Sequence, residues 1–343
     1  MGKMTAVTFK DIGIYEICER EIPKIIHADD VLVSVEASSI CGTDVHLLSD
    51  PPGFLGTKGI ILGHECVGKI EDTGPGVKGL KAGDRVVLIP NIACGYCHFC
   101  LSGLPNMCIN DIILGVTCDG VFSEYYVAPE RALTKIPADM PADIAVFAEP
   151  VNCVMGAMNK IRVLPGETAL VLGAGPIGLY FTMLLKANGA GKVIVSEPSD
   201  FRSEFAKKLG ADVTIDPASE NLTQTVKDLT GGLGADITVD AVGVLLTEAV
   251  ACTRRAGRVL LFGQNDAAKE TLCQNDIVRN GLTILGNYNG LYTMIPTIKL
   301  LASDLIPISE MVTHRLSLSE FPTGLEAMRS GKALEVILYP DKK

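Results

Sequence analysis

Four cysteines stand within fifteen positions of the chain, in the stretch NIACGYCHFCLSGLPNMC at residues 91–108. They are spaced as C-x2-C-x2-C-x7-C by Cys94, Cys97, Cys100 and Cys108. Four thiolates saturate a tetrahedral zinc ion and leave no position for water or substrate. The spacing therefore predicts a structural zinc site that holds together a lobe at about residues 91–110. His98 is surplus to the four ligands and is expected to face solvent. Because a zinc ion with four protein ligands cannot bind a substrate, the chemistry must lie elsewhere.

A second group of metal-binding residue types comes from two earlier segments. The segment CGTDVH begins with Cys41, and GHECVG contains His64 and Glu65. One cysteine, one histidine and one carboxylate from separate loops make a three-ligand zinc site with an open fourth position. Zinc in an open site lowers the pKa of bound water to about 7, and a bound alcohol should behave comparably. Each segment alone fits an ordinary structural cysteine or histidine equally well.

A glycine-rich turn has the pattern of a dinucleotide-binding loop. Its order is Gly173-Ala174-Gly175-Pro176-Ile177-Gly178, after an apolar strand pattern and before a helical one. The glycines let the backbone approach a pyrophosphate, and the helix N-terminus offers free N–H groups. Glu197, at the end of the next strand, would accept hydrogen bonds from the adenosine ribose and repel a 2′-phosphate. The pattern favours NAD over NADP, although Arg202 could offset that repulsion. A domain of this fold that binds no dinucleotide is the alternative.

Two kinds of structure must position these residues. The first part of the chain is β-rich, with strand composition at residues 31–40, 66–74 and 84–92. From about residue 166, short continuous apolar runs alternate with helical patterns, which indicates a parallel sheet with helices on both faces. The predicted class is α/β, with a β-rich domain followed by a doubly wound one.

One uncharged run of eighteen residues, TALVLGAGPIGLYFTMLL at 168–185, reaches the lower limit for a membrane span. Its three glycines and proline favour a buried strand, a turn and a buried helix start instead. We expect no membrane association. Arg254, Arg255 and Arg258 form the densest basic spot and are expected at the solvated end of a helix and the turn after it.

The composition describes a folded protein of two domains. The chain has 343 residues, of which 48% are hydrophobic and 20% charged. Its net charge is −10 and it has no basic run, so nucleic acid is a poor partner. The first residues lack the apolar stretch of a secretory signal. Eleven cysteines without an export signal predict a reducing cytoplasm, where clustered cysteines indicate metal before disulfide.

The segment GHECVGKIEDTGPGV at residues 63–77 matches the zinc alcohol dehydrogenase signature G-H-E-x2-G-x5-G-x2-V. With the four-cysteine lobe and the glycine turn following in the family's order, the chain resembles the medium-chain zinc dehydrogenases over essentially its whole length. It is most similar to the polyol, butanediol and threonine dehydrogenase branch. The resemblance implies a GroES-like catalytic domain at 1–153, a Rossmann NAD-binding domain at 154–287, and a segment at 288–343 that returns to the first domain. It also implies two zinc ions per subunit, one catalytic and one structural, and a homo-oligomer, a tetramer before a dimer.

The resemblance also implies roles for individual residues. Cys41 and His64 would bind the catalytic zinc, with Glu65 and a later acidic residue completing or exchanging within the shell. Glu149 stands at that later position, and Cys153 is a rival ligand.

Around this metal site, Thr43 resembles the hydroxyl that begins the family's proton relay, and His46 resembles its solvent-side end. Asp44 is expected to orient a zinc-ligand side chain, or to be a simple turn carboxylate. Further cofactor contacts are implied in the glycine turn and after two later strands, at Ile177, Phe262, Gly263, Gln264, Asn287 and Tyr288.

The predicted reaction is a zinc-dependent, NAD-linked oxidation of a secondary alcohol, diol or polyol to the ketone by hydride transfer. L-Threonine is the alternative substrate. Threonine dehydrogenases carry a histidine where this chain has Asn91, and threonine and sorbitol dehydrogenases carry an arginine where Asn289 aligns. A non-catalytic NAD-binding protein of the same fold is a further alternative. The intact set of ligands argues against it.

Overall fold

Strands from both ends of the chain form the main sheet of the first of two units in the computed structural model. The structure describes residues 2–52 and 55–341. The first unit comprises the chain up to Asn152, Leu291–Asp304, and the chain from Ile308 onward. The second unit comprises Cys153–Gly290 and Leu305–Pro307.

The regular elements are numbered along the chain. The strands are β1 (Lys3–Asp11), β2 (Ile14–Glu21), β3 (Asp30–Ser39), β4 (Glu65–Thr73), β5 (Arg85–Leu88), β6 (Asn91–Ile92), β7 (Ile112–Ile113), β8 (Tyr125–Pro129), β9 (Leu133–Lys135), β10 (Thr168–Leu172), β11 (Lys192–Ser196), β12 (Val213–Ile215), β13 (Ala235–Asp240), β14 (Thr253–Leu261), β15 (Thr283–Gly286), β16 (Val312–Ser317) and β17 (Glu335–Tyr339). The helices are α1 (Gly42–Leu47), α2 (His98–Leu101), α3 (Ala142–Ala145), α4 (Ala148–Ile161), α5 (Pro176–Ala187), α6 (Asp200–Lys208), α7 (Leu222–Leu229), α8 (Leu246–Cys252), α9 (Gln274–Asn280), α10 (Met294–Leu301) and α11 (Phe321–Arg329).

The main sheet of the first unit has the order β16-β17-β3-β4-β5-β9, and β8 also pairs with β3. All of its pairs are antiparallel except β16 with β17. The strands predicted at 31–40 and 66–74 are confirmed as β3 and β4. The run predicted at 84–92 is divided into β5 and β6, with Pro90 between them. Proline has no N–H group to donate to a strand ladder, which explains the interruption.

An apolar cluster supports the short helix α1, which follows Cys41. Phe321 and Leu325 of α11 pack in this cluster with Ile40 and Leu47, all nearly inaccessible to solvent. The Phe321 ring meets Phe122 with 5.4 Å between centroids. Burying each such side chain stabilises the fold by about 1.5–3 kcal/mol. The segment near residue 320 therefore holds the segment near residue 41 in place.

The second unit contains one parallel sheet of six strands, in the order β12-β11-β10-β13-β14-β15. Its central strands are buried along their length, as continuous apolar runs predict. The doubly wound α/β prediction is confirmed. Residues 168–185 form β10, a turn and most of α5, as expected. Within 2–52 and 55–341, no helix has the length and apolar character needed to cross a membrane.

The prediction for the arginine cluster was wrong. Helix α8 ends at Cys252, and the three arginines lie on strand β14. The Arg254 Nε donates to Asp236 Oδ1 at 2.6 Å. Arg258 donates to Glu167 and to the carbonyl oxygens of residues 161 and 162. These partners bind the guanidinium groups of Arg254 and Arg258, while the ladder with β13 skips from Thr253 to Arg258.

Candidate metal centre and dinucleotide site

Three predicted ligands converge in the first unit. Cys41 lies between the end of β3 and the start of α1, where it is the N-cap residue. His64 precedes β4, and Glu65 is the first residue of β4. One ligand atom from each of the three lies within 4.8 Å of the others. His64 is 6% exposed and Glu65 2%, while Cys41 is half-buried.

A backbone requirement places His64. Gly63 has φ +85°, and a Cβ atom there would lie 2.3 Å from the ring of Phe122. Only glycine fits this position without strain or collision. The glycine before His64 is therefore a steric requirement of this turn.

Two hydrogen-bonding side chains surround the three converging residues. Asp44, 1% exposed, accepts a hydrogen bond from the Cys41 N–H at 3.0 Å through Oδ2. Its Oδ1 lies 3.8 Å from His64 Nδ1, on the side where a metal-bound histidine usually finds a carboxylate. The Ser39 hydroxyl donates to Glu65 Oε2. Nothing in the sequence pattern singled out Ser39.

Negative groups crowd the centre. Burial, and then the charges of Glu65, Asp44 and Glu149, raise the pKa of the Cys41 thiol well above its ordinary value. Burial, and then the charge of Glu335, raise the pKa of Glu65 in the same way. Glu149 acts on the site by its charge but is not one of the three converging residues. Several buried acidic groups are costly unless a cation compensates them.

The residues present fit a zinc ion. Buried His64 Nδ1 has no hydrogen-bond partner and faces Asp44 Oδ1 at 3.8 Å, so Nε2 is the ring nitrogen that would serve a metal ion. Sulfur, imidazole nitrogen and carboxylate oxygen are the donors zinc takes in catalytic sites, where three protein ligands leave a fourth position open. A divalent cation among these donors would also compensate the buried negative charge.

The two residues of the predicted proton relay lie on α1. Thr43 is half-buried, and its backbone N–H donates to the Cys41 sulfur. His46 is exposed at the last turn of the same helix. Their places are compatible with an inner and an outer relay group, and the relay itself stays a prediction.

The four lobe cysteines form the second metal-binding group. One sulfur from each lies within 4.8 Å of the others. Backbone N–H groups of residues 94, 97 and 110 donate to these sulfurs at 3.3–3.4 Å. Backbone hydrogen bonds, first that of Cys100, lower the pKa of Cys97 to about 6. Cys97 is the one buried residue between 91 and 113, so the lobe has no apolar core of its own. His98 is exposed, as predicted.

The glycine turn of the second unit joins β10 to α5. Gly173 has φ +91°, a conformation that favours glycine. A Cβ atom on Gly178 would lie 1.9 Å from the Gly173 carbonyl oxygen, so the third glycine allows helix and strand to meet. Gly175 is the N-cap of α5, which begins at Pro176, and the backbone N–H groups after the proline are of the kind that bind anions at a helix N-terminus.

Glu197 is 5% exposed and already hydrogen-bonded. Its Oε2 accepts from the Ala174 N–H at 2.7 Å, and its Oε1 accepts from the Ser199 N–H at 3.0 Å. Each carboxylate oxygen offers about two acceptor positions, so capacity for ribose hydroxyls remains. Nearby on α6, Arg202 is half-buried, and its Nε atom has no hydrogen-bond partner.

The remaining predicted cofactor residues follow neighbouring strands of the same sheet. Phe262, Gly263 and Gln264 follow β14, whereas Asn287 and Tyr288 follow β15. Ligands of such sheets bind outside the carboxyl ends of the strands, where these residues stand. Asn287 Nδ2 donates to the carbonyl oxygens of Cys153 at 3.3 Å and Asn289 at 3.1 Å.

Sequence reasoning missed Asp240, the buried last residue of β13. Its Oδ1 accepts from the Val242 and Gly243 N–H groups at 2.9 and 2.8 Å, and its Oδ2 accepts from Leu245 at 3.0 Å. The carboxylate thereby fixes the loop after β13. An acidic residue ending an apolar parallel strand was the available signal.

Known proteins resemble the chain over nearly its whole length. The alcohol dehydrogenase GroES-like domain matches residues 27–138, and the zinc-binding dehydrogenase family matches 176–303. An L-threonine 3-dehydrogenase of Pyrococcus horikoshii is 36% identical over 339 residues, covering 94% of each chain. A structure from Sinorhizobium meliloti 1021, described as a zinc-binding dehydrogenase bound to NADP, shares 30% identity with a TM-score of 0.94 over 99% of this chain and 100% of that one. The structure of a Bacillus subtilis 2R,3R-butanediol dehydrogenase shares 27% identity and has a TM-score of 0.90. The match covers 98% of this chain and 100% of that one. The chain therefore belongs to the zinc-containing medium-chain alcohol dehydrogenase family, as an oxidoreductase that uses zinc and a nicotinamide dinucleotide.

Proposed function

We propose that the protein oxidises a secondary alcohol, diol or polyol to the ketone, with zinc as catalytic metal and NAD as hydride acceptor. The observation that carries this proposal is the buried convergence of Cys41, His64 and Glu65 within 4.8 Å. Three ligands of these types leave a position for a hydroxyl group, whereas the four-cysteine group leaves none.

Each residue of the centre has a proposed task. Zinc, when bound, acts as a Lewis acid that lowers the pKa of a substrate hydroxyl. Cys41, His64 and Glu65 would hold the metal, and Glu149, whose charge acts on the site, would complete the shell or exchange within it. Asp44 orients the His64 ring through its Nδ1 side.

The proton released from the hydroxyl leaves along α1. The Thr43 hydroxyl would accept this proton while passing its own onward, and the exposed His46 would deliver a proton to water. An imidazole suits this role because it can both accept and donate a proton.

NAD is the proposed cofactor rather than NADP. The negative charge of Glu197 favours ribose hydroxyls and opposes a 2′-phosphate. Arg202 lies three residues beyond Ser199, and its Nε has no hydrogen-bond partner. Its positive charge would partly offset the repulsion between Glu197 and a 2′-phosphate. Gly173, Gly175 and Gly178 accommodate the pyrophosphate.

A neutral diol is the proposed substrate, and L-threonine is the second candidate. The names of the curated relatives favour threonine, at 33–36% identity. Against it, position 289 is an asparagine with a left-handed backbone and a buried Nδ2 that has no hydrogen-bond partner. A neutral amide binds a carboxylate less strongly than the bidentate arginine expected there.

The deciding experiment measures NADH formation by ultraviolet absorbance on 2,3-diols, polyols, their phosphates and L-threonine, with and without a chelator. Chelator-sensitive turnover that is fastest on a diol or polyol supports the proposal. Faster turnover of L-threonine replaces it with the second candidate. No turnover of any substrate, by protein shown to bind zinc and NAD, contradicts the proposed class.

We also propose that the protein is a cytoplasmic homo-oligomer, a tetramer before a dimer. All eleven cysteines are free, as a reducing compartment requires. The zinc lobe presents an apolar lobe surface formed by Tyr96, Leu101, Leu104, Met107, Ile109 and Ile112. Residues 86–110 contain no aspartate, glutamate, lysine or arginine. Two copies with net charge −10 could meet there with Asp111 as the one charged residue between positions 86 and 112.

A further inference from the structure

We propose that Ser39 is a positioning residue that holds Glu65 in the orientation in which it binds zinc. This role rests on the proposed function, because it presupposes that Glu65 is a zinc ligand. Ser39 itself does not touch the metal or the substrate.

The geometry joins the two residues directly. Ser39 is the last residue of β3 and stands opposite Glu65, the first residue of β4, in the antiparallel register. Its hydroxyl donates to Glu65 Oε2, which fixes the direction in which the carboxylate faces.

Burial makes this hydrogen bond strong. Ser39 is 1% exposed and Glu65 2%, so solvent does not compete for either group. A hydrogen bond to a charged group is about twice as strong as one between neutral groups. Losing it leaves a buried carboxylate oxygen without its donor, which costs more than the bond itself contributes.

The position of Ser39 in the chain adds a second consequence. Cys41 follows two residues later, and the intervening Ile40 N–H is held by the Val336 carbonyl at 3.1 Å. The Ser39 bond thus joins the segment that carries Cys41 to the segment that carries His64 and Glu65. Glu335, buried on β17, acts on Glu65 as a like charge, and the hydroxyl opposes that repulsion.

The test compares Ser39→Ala, Ser39→Thr and the parent protein, each at full length and without cofactor. Zinc affinity is measured by competition with a chromophoric chelator, and the catalytic ligand set is followed by the visible spectrum of the cobalt-substituted protein. Ser39→Ala should weaken zinc binding about 10-fold or more, as the loss of a group that orients a ligand usually does. It should also shift the cobalt bands. Ser39→Thr keeps the hydroxyl and should restore both.

Ser38→Ala is the matched control. Ser38 lies on the same strand and is 2% exposed, but its side chain points to the opposite face. It should bind zinc like the parent. Parent-like affinity and spectrum in Ser39→Ala, or an equal loss in Ser38→Ala, would overturn the proposal.

Glu65→Ala distinguishes a failure of the proposed role of Ser39 from a failure of the proposed metal site. If Glu65→Ala weakens zinc binding and Ser39→Ala does not, the role of Ser39 fails and the proposed metal site stands. If Glu65→Ala leaves zinc binding unchanged, the metal site as proposed fails, and the role of Ser39 fails with it. In every variant, the zinc affinity of the four-cysteine site serves as an internal reference, because none of these substitutions lies in that site.

Discussion

The carboxylate of Glu197, which is proposed to recognise the cofactor ribose, already accepts hydrogen bonds from two backbone N–H groups. Glu197 joins the glycine turn, through Ala174, to the start of α6, through Ser199. One side chain thus shapes the loop and contributes its charge to the choice of cofactor. Its replacement should therefore change both properties together.

We expect Glu197→Gln to weaken NAD binding about 10-fold or more. A glutamine must present its NH2 group to one of the two N–H donors, and losing a charged hydrogen bond costs about 1.5–3 kcal/mol. NADP binding should weaken less, because the repulsive charge is gone. Calorimetric titration with both cofactors measures the two effects. Glu204→Gln, an exposed glutamate on α6, is the control, and unchanged NAD affinity in Glu197→Gln would contradict the assignment.

Among the ligands, we expect Cys41→Ser and His64→Ala to abolish turnover while NAD binding survives. Either change removes one of three donors, so the metal is lost from the buried centre. Metal analysis should then show one zinc ion per chain instead of the two that the two groups can hold. Cys273→Ser, at an exposed cysteine, should keep full activity. Full activity in either variant would contradict the proposed role of that residue as a ligand of the catalytic zinc.

At the scale of elements, the zinc lobe at residues 91–113 depends on the binding of zinc by its four cysteines. Cys108→Ser should unfold the lobe, because its residues bury almost no apolar surface of their own. The melting temperature should fall by about 5 °C or more, and protease should cut first within residues 91–113. Calorimetry and limited proteolysis measure this, with Cys273→Ser as the control. A Cys108→Ser protein with parent-like melting would show that zinc is dispensable to the lobe.

Residue types, spacing and family resemblance predicted most of the elements that carry the site. Apolar runs placed β3, β4, β10 and α5, because burial on one or both faces leaves a periodic pattern. The metal-ligand types predicted both cysteine-containing groups, since zinc restricts its donors.

Features that depend on pairing between distant segments could not be predicted. Ser39 is an ordinary serine until the register of β3 and β4 places it opposite Glu65. The arginines of β14 looked like a helix end because their partners, Asp236 and Glu167, are distant in sequence. Asp240 gains its role from a loop that its own carboxylate shapes.

For the whole molecule, the apolar lobe surface should govern assembly. Leu101→Glu combined with Ile109→Glu puts charges on side chains that are 76% and 68% exposed in the single chain. The variant should have a smaller mass than the parent by size-exclusion chromatography with light scattering. Leu233→Glu, equally exposed in the second unit, should assemble normally. A parent protein that is itself a monomer would contradict the proposed assembly.

The pairing of β17 with β3 has a consequence for the order in which a newly made chain can fold. The ribosome releases β3 and both ligand segments early, but Ile337, the partner of Ser39, emerges some three hundred residues later. Nearly all of the second unit, Cys153–Gly290, is synthesised in between and can fold as a unit during translation. Metal loading of the Cys41 centre is therefore expected to be among the last events of biogenesis, after the nascent chain has left the exit tunnel.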